Sequence, residues 1–102
     1  MCKKTNSNIG GTSFHDTTFK ASVNDLIKAF GEPDYDDNSG DDKTNFEWGM
    51  ETDNGDVFSI YDWKEYRKLN KDETIDWHIG AYSKSISSHS LYEVLVELGK
   101  LG

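Results

Sequence analysis

The chain has 102 residues, a formal charge of −8, a mean hydropathy of −0.78 and only 34% apolar residues. That length fits one domain with one modest core. An acidic balance argues against non-specific binding of DNA or RNA, whose phosphates need clustered Lys and Arg, and against an anionic membrane surface.

Three Trp, five Tyr and five Phe compensate for the low apolar fraction, because each large ring buries much area. The charge is concentrated: residues 32–56 hold ten acids against Lys43 alone, a net of −9, which leaves the remainder near neutral. Cys2 is the single cysteine, so no intrachain disulfide and no multi-cysteine metal site can form. No apolar run approaches the roughly 20 residues of a membrane span, and the N-terminal residues do not resemble a signal peptide. A reducing cytoplasm is the expected setting.

Residues 1–11 are polar and glycine-containing, and read as a loose arm ahead of a single domain over 12–102. Phe14, His15 and the run Thr17-Thr18-Phe19 predict a strand. Ser22 is an N-cap type with Asp25 three residues on. The stripe Val23, Leu26, Ile27, Phe30 makes the following segment a helix, ended by Gly31 and Pro33. Residues 32–45 form an acidic loop. Phe46, Trp48 and Met50 alternate on one face of the next strand, and Asp53-Asn54-Gly55 signals a hairpin. Val57–Lys64 has two demanding faces, Phe58 and Ile60 on one, Tyr61 and Trp63 on the other. After a charged connection, 74–82 reads as a strand with Ile75, Trp77 and Ile79 opposite Asp76, His78 and Tyr82. Ser90-Leu91-Tyr92-Glu93 reads as a capping box that opens a last helix, with Leu91, Val94, Leu95 and Leu98 as its stripe. The sum is an α+β fold: strand, helix, three-stranded meander, helix, with two helices on one face of a small antiparallel sheet.

Catalytic signals are weak. His15, His78 and His89 lack metal-site spacing, no serine sits in a nucleophile elbow, and no phosphate loop is present, so no catalytic residue, metal or cofactor is expected. The acidic loop starts like a calcium loop at Asp34, Asp36 and Asn38. It then has Gly40 instead of a glycine at the sixth position, and Asn45 where a glutamate is needed. Chemistry concentrates instead in Tyr61-Asp62-Trp63-Lys64 and Trp77-His78-Ile79-Gly80. Rings that stack on bases, beside Lys64, Arg67, Lys68 and Lys71, suit a nucleotide, and Gly80 permits close approach of a ligand or another backbone. Each Trp taken alone is at least as well explained as core. Two helices cover one face, however, so the other must meet a ligand or a second subunit.

Phe30-Gly31-Glu32-Pro33, Lys43 ahead of Glu47-Trp48, Ile60-Tyr61-Asp62-Trp63-Lys64 and Trp77-His78-Ile79-Gly80, in this order, resemble a widespread family of small bacteriophage proteins over residues 12–100. The likeness points to the anti-CBASS sponges, which bind cyclic dinucleotide defence signals without cleaving them. Ala81 stands where members commonly carry a second glycine. The resemblance implies a non-enzymatic homo-oligomer, expected as a tetramer, acting in the host bacterial cytoplasm on a signal such as 3'3'-cGAMP. It assigns stacking to Tyr61, Trp77 or Tyr82, phosphate contacts to Lys64, Lys84 and Lys43, a hydrogen bond to His78, and close approach to Gly80. The alternative is an acidic protein–protein inhibitor, whose loop imitates nucleic acid for a host nuclease or defence enzyme.

Overall fold

The structure, a computed structural model, describes residues 2–101. Six strands and two helices follow in the order β1 (Lys3–Lys4), β2 (Ser13–Ala21), α1 (Val23–Phe30), β3 (Tyr35–Asp36), β4 (Phe46–Glu51), β5 (Val57–Tyr61), β6 (Ile75–Ala81) and α2 (Lys84–Gly99). The strands form one antiparallel sheet in the order β1-β4-β5-β6-β2, with β3 pairing beside β1 on the outer side of β4. The meander β4-β5-β6 and the strand ahead of α1 match the expected order. The two short strands β1 and β3 are additional.

Strand period two sorts the side chains. Trp48, Ile60 and Ile79 are in register, as are Met50, Phe58 and Ala81, and Trp77 pairs with Phe19. All of these are buried, together with Val23, Leu26 and Phe30 of α1 and Val94 of α2, so both helices lie over this one face. Trp48 and Trp77 meet edge to face at 5.6 Å. Their indole N–H groups donate to Gly31 O and Ala21 O, each 2.9 Å away, and so clasp the two ends of α1. Large apolar bodies with a satisfied polar tip anchor the core and orient the helix in the same contacts.

α1 follows its sequence signals. Ser22 Oγ accepts from Asp25 N–H at 3.1 Å, and Asp25 Oδ2 accepts from Ser22 N–H at 3.1 Å. This reciprocal pair satisfies two backbone donors at the helix start. Gly31 ends the helix at φ 87°, a conformation that glycine adopts without the usual side-chain penalty.

α2 corrects the sequence reading. It starts at Lys84 after the N-cap Ser83, whose Oγ accepts from Ile86 N–H at 3.2 Å, and not at Ser90. Ser90 is buried mid-helix, and its hydroxyl donates to Ile86 O at 2.7 Å. The serines that imitate a cap are the buried face itself: Ser87 Oγ donates to Thr17 Oγ1 at 2.7 Å across to β2. Small polar residues let the helix sit close to the sheet, and the rotated face leaves Leu95 and Tyr92 exposed.

The expected loose arm carries β1, which pairs Lys3 with Glu51 and Lys4 with Met50. Cys2 is buried, its thiol pushed up to about 12 by burial and then by Glu93 and Glu97, so it remains protonated and unreactive at neutral pH.

Candidate ligand-binding face

The sheet's second face carries two rows. One runs Glu47, Tyr61, His78, Thr18 across β4, β5, β6 and β2; the other runs Gly49, Ser59, Gly80, Phe14. The expectation that this whole face lies open is corrected by residues 5–12, which cross the glycine row. A side chain at Gly49 would meet Ile9 and Thr5, each within 4 Å. One at Gly80 would meet Ser59 Oγ at 2.6 Å and Thr12 Oγ1 at 3.3 Å. Gly80 therefore admits the protein's own chain, where the resemblance implied a ligand.

The Tyr61 row remains accessible. Four aromatic rings make a continuous strip: Phe14 to His78 at 4.4 Å, His78 to Tyr61 at 5.6 Å, and Tyr61 to Trp63 edge-on at 6.1 Å. Phe14 is 41% and Trp63 39% exposed. The Lys43 and Lys64 ammonium groups stand 5.8 and 5.5 Å from the Trp63 ring centre. The strip thus ends in two cations about one indole, the pairing that suits a stacked base with a neighbouring phosphate. Beside it, a concavity of about 370 Å³ is bordered by Tyr35, Asp42, Lys43, Thr44 and Glu47, a volume at the lower end of small-molecule pockets.

Two loops fix this end of the sheet. Lys64 N–H donates to Lys43 O at 2.6 Å, and Lys64 and Tyr66 hold φ of 55° and 51°. Non-glycine residues held in that region cost of order 1 kcal/mol or more, and persist where their surroundings over-determine them. Here Asp62, fully buried, accepts from Asn45 N–H and Phe46 N–H through Oδ1, both at 2.8 Å. Asn45 Nδ2 donates to Asn38 Oδ1 at 3.0 Å and Arg67 O at 2.8 Å, while Asn38 bonds both Leu69 N–H and Leu69 O. Gly40, at φ 85°, lies under the Arg67 backbone, where a Cβ would come within 2.6 Å. The acidic loop is thereby fastened to residues 62–69 and carries Lys43 to Trp63.

The implied site residues divide. Tyr61, His78, Lys43 and Lys64 come together. Trp77 does not: it is fully buried against Trp48 and cannot stack on a ligand. Tyr82 is about half exposed and donates its hydroxyl to Gly10 O at 2.9 Å, which places it against residues 10–11 instead of in the ring strip. Lys84 opens α2, and among the described residues it has no ion pair or cation–π contact linking it to the strip. Arg67 is committed to Glu73 through two 2.8 Å bonds and to Glu65 at 3.3 Å. Phe14 and Trp63 were missed as site residues. Trp63 shares the outward parity of Tyr61, which was a readable signal; Phe14 reaches His78 only through the bulge in β2.

Electrostatics are mixed. Burial lowers the His78 pKa despite Asp76, Asp62 and Glu65, so the imidazole is neutral at pH 7 and offers one donor and one acceptor. Burial and Glu47 raise the Tyr61 hydroxyl. Burial first, then Asp34, raises Glu47. No protein-family model matches the chain and no curated protein is detectably related to it, so the likeness to the phage sponges rests on the residues quoted for it.

Proposed function

We propose that the protein binds and sequesters a cyclic dinucleotide defence signal, such as 3'3'-cGAMP, without cleaving it, as a homo-oligomer in the cytoplasm of a phage-infected bacterium. The observation that supports this reading is the strip Phe14–His78–Tyr61–Trp63 ending in Lys43 and Lys64. Bases would stack on the exposed rings, the two ammonium groups would meet phosphate, and neutral His78 would hydrogen-bond a base edge. The concavity at Lys43 would take one end of the ligand. A net charge of −8 opposes a dianion at long range, so binding must be local, and added salt should weaken it.

Native mass spectrometry with a mixed pool of cyclic di- and trinucleotides, followed by heat release, tests the reading. Intact nucleotide recovered from the folded protein supports sequestration and identifies the ligand. A cleaved product points to an enzyme, and no retention sinks the nucleotide reading.

The acidic inhibitor is retained as a second reading, because Asn38, Asn45 and Gly40 hold the acidic loop in one shape, as a mimic of nucleic acid needs. Asp34, although half exposed, is tied to the sheet: its Oδ2 accepts from Gly49 N–H at 2.6 Å, and it pairs with Lys4.

A further inference from the structure

At the opposite end of the β4–β5 hairpin from the ring strip, the structure assembles a cluster that neither sequence spacing nor the proposed function uses. His89 and Glu93 lie four residues apart on α2 and so share one helix face. Asp53, from the hairpin turn, meets them there. One potential ligand atom from each of the three lies within 4.8 Å of the others. His89 Nε2 is 2.6 Å from Glu93 Oε2 and 3.4 Å from Asp53 Oδ1.

We infer that Asp53, His89 and Glu93 form a binding site for a divalent first-row transition metal ion of the zinc type. A single imidazole nitrogen, with at most one hydrogen, faces both the Glu93 and the Asp53 carboxyl groups. Glu93 has 1% of its side chain exposed, and among the described residues its oxygens meet, besides that nitrogen, the Asp53 N–H at 3.1 and 3.4 Å. Burying a carboxylate with so little compensation is costly. Asp53, 51% exposed and able to turn into water, nevertheless points inward.

A cation between the three atoms gives each of them a partner at once. One imidazole and two carboxylates are an accepted zinc ligand set, and the imidazole favours zinc and its neighbours over magnesium or calcium. Tyr92 lies stacked beside His89, with ring centres 6.4 Å apart. The His89 and Asp53 side chains are 42% and 51% exposed, so water can reach the site and complete the coordination. The ion would fasten the middle of α2 to the hairpin turn. Three protein ligands with an open side make a site that loads and empties with metal supply, in contrast to a closed four-ligand structural site.

The test is calorimetric titration of chelator-stripped protein with Zn²⁺, and with Co²⁺ read by its visible absorption, on wild type, Asp53→Asn and His89→Gln. One ion per chain is expected, with a rise in Tm on Zn²⁺ addition. Either substitution should weaken binding at least tenfold and abolish the Tm rise. Asp53→Asn alters only an exposed side chain, so its folding is not at issue. Lack of Zn²⁺ and Co²⁺ binding by wild type would overturn the assignment. So would unchanged affinity in both variants, which would place any bound ion on the acidic loop. Nucleotide retention by the ring strip is read separately and does not enter this result.

Discussion

Trp63 and Lys64 are the residues on which the ring strip depends most directly. Trp63→Ala removes a stacking surface worth about 1–3 kcal/mol per base. Lys64→Ala removes a charge-assisted contact worth about 1.5–3 kcal/mol. Both lie on the surface, so the variants should fold normally and lose affinity for the retained nucleotide in equilibrium titration; unchanged affinity would remove the strip from the site. Asp62 makes a different prediction. Its Oδ1 is satisfied twice, but Oδ2 and Asn45 Oδ1 are buried without partners, and burial raises the Asp62 pKa. A carboxyl raised above its unfolded value contributes stability below that value and loses it as pH rises through the folded pKa. Denaturant unfolding should therefore show wild type gaining on Asp62→Asn as pH falls from 7 towards 4. A constant difference between the two would contradict the shift. Asp62→Ala should cost about 1–3 kcal/mol at neutral pH, since two buried N–H donors lose their acceptor.

Among the elements, α1 was the most legible. Its cap, stripe and glycine stop are local signals, and the structure realises all three. Ser22→Ala should lower stability by about 1 kcal/mol in thermal unfolding; no change would mean that the Trp77 clasp on Ala21 holds the helix start without the cap. The start of α2 was misread because the serines of its buried face imitate a cap; Leu91, Val94 and Leu98 of the expected stripe do pack on the core, and Leu95 does not. The acidic loop was legible only as polar. Nothing local to Asn38 or Gly40 announces that they meet residues 67–69, which for Asn38 and Leu69 lie 31 positions apart. Gly40→Ala should strain the backbone and push on Arg67, and so loosen the position of Lys43; proteolysis within 32–45 should accelerate.

For the molecule as a whole, alternation within strands sorted the two faces correctly and put Tyr61 and His78 on the outward one; the roles of Lys43 and Lys64 came from the resemblance and not from periodicity. Trp77 was misplaced because parity says which face a ring takes but not which face the helices cover. The crossing by residues 5–12 was illegible for a related reason, since polar, glycine-containing sequence reads the same whether it lies on a sheet or away from it. The two functional readings separate at this scale. Neutralising Asp36, Asp37, Asp41 and Asp42 to Asn, with Asp34 left to hold Gly49, should leave nucleotide retention intact or improve it at low salt. The same variant should lose at least tenfold affinity if the loop docks in a basic groove of a partner protein. Loss of nucleotide retention with correct folding would count against the strip.

The margins of the sheet have a consequence for crowding. A long bare edge strand invites another chain to add a strand to it, and from there to aggregate. On one margin β4 is occupied by two separate two-residue strands; on the other, β2 is interrupted by a bulge with Asp16 at φ 64° and carries Lys20 facing water. Neither offers a flat ladder of free backbone groups. Both margins therefore work against copies of this chain joining edge to edge. A protein that acts by stoichiometry needs that property, and it leaves faces and helices, not sheet margins, as the surfaces through which copies would meet.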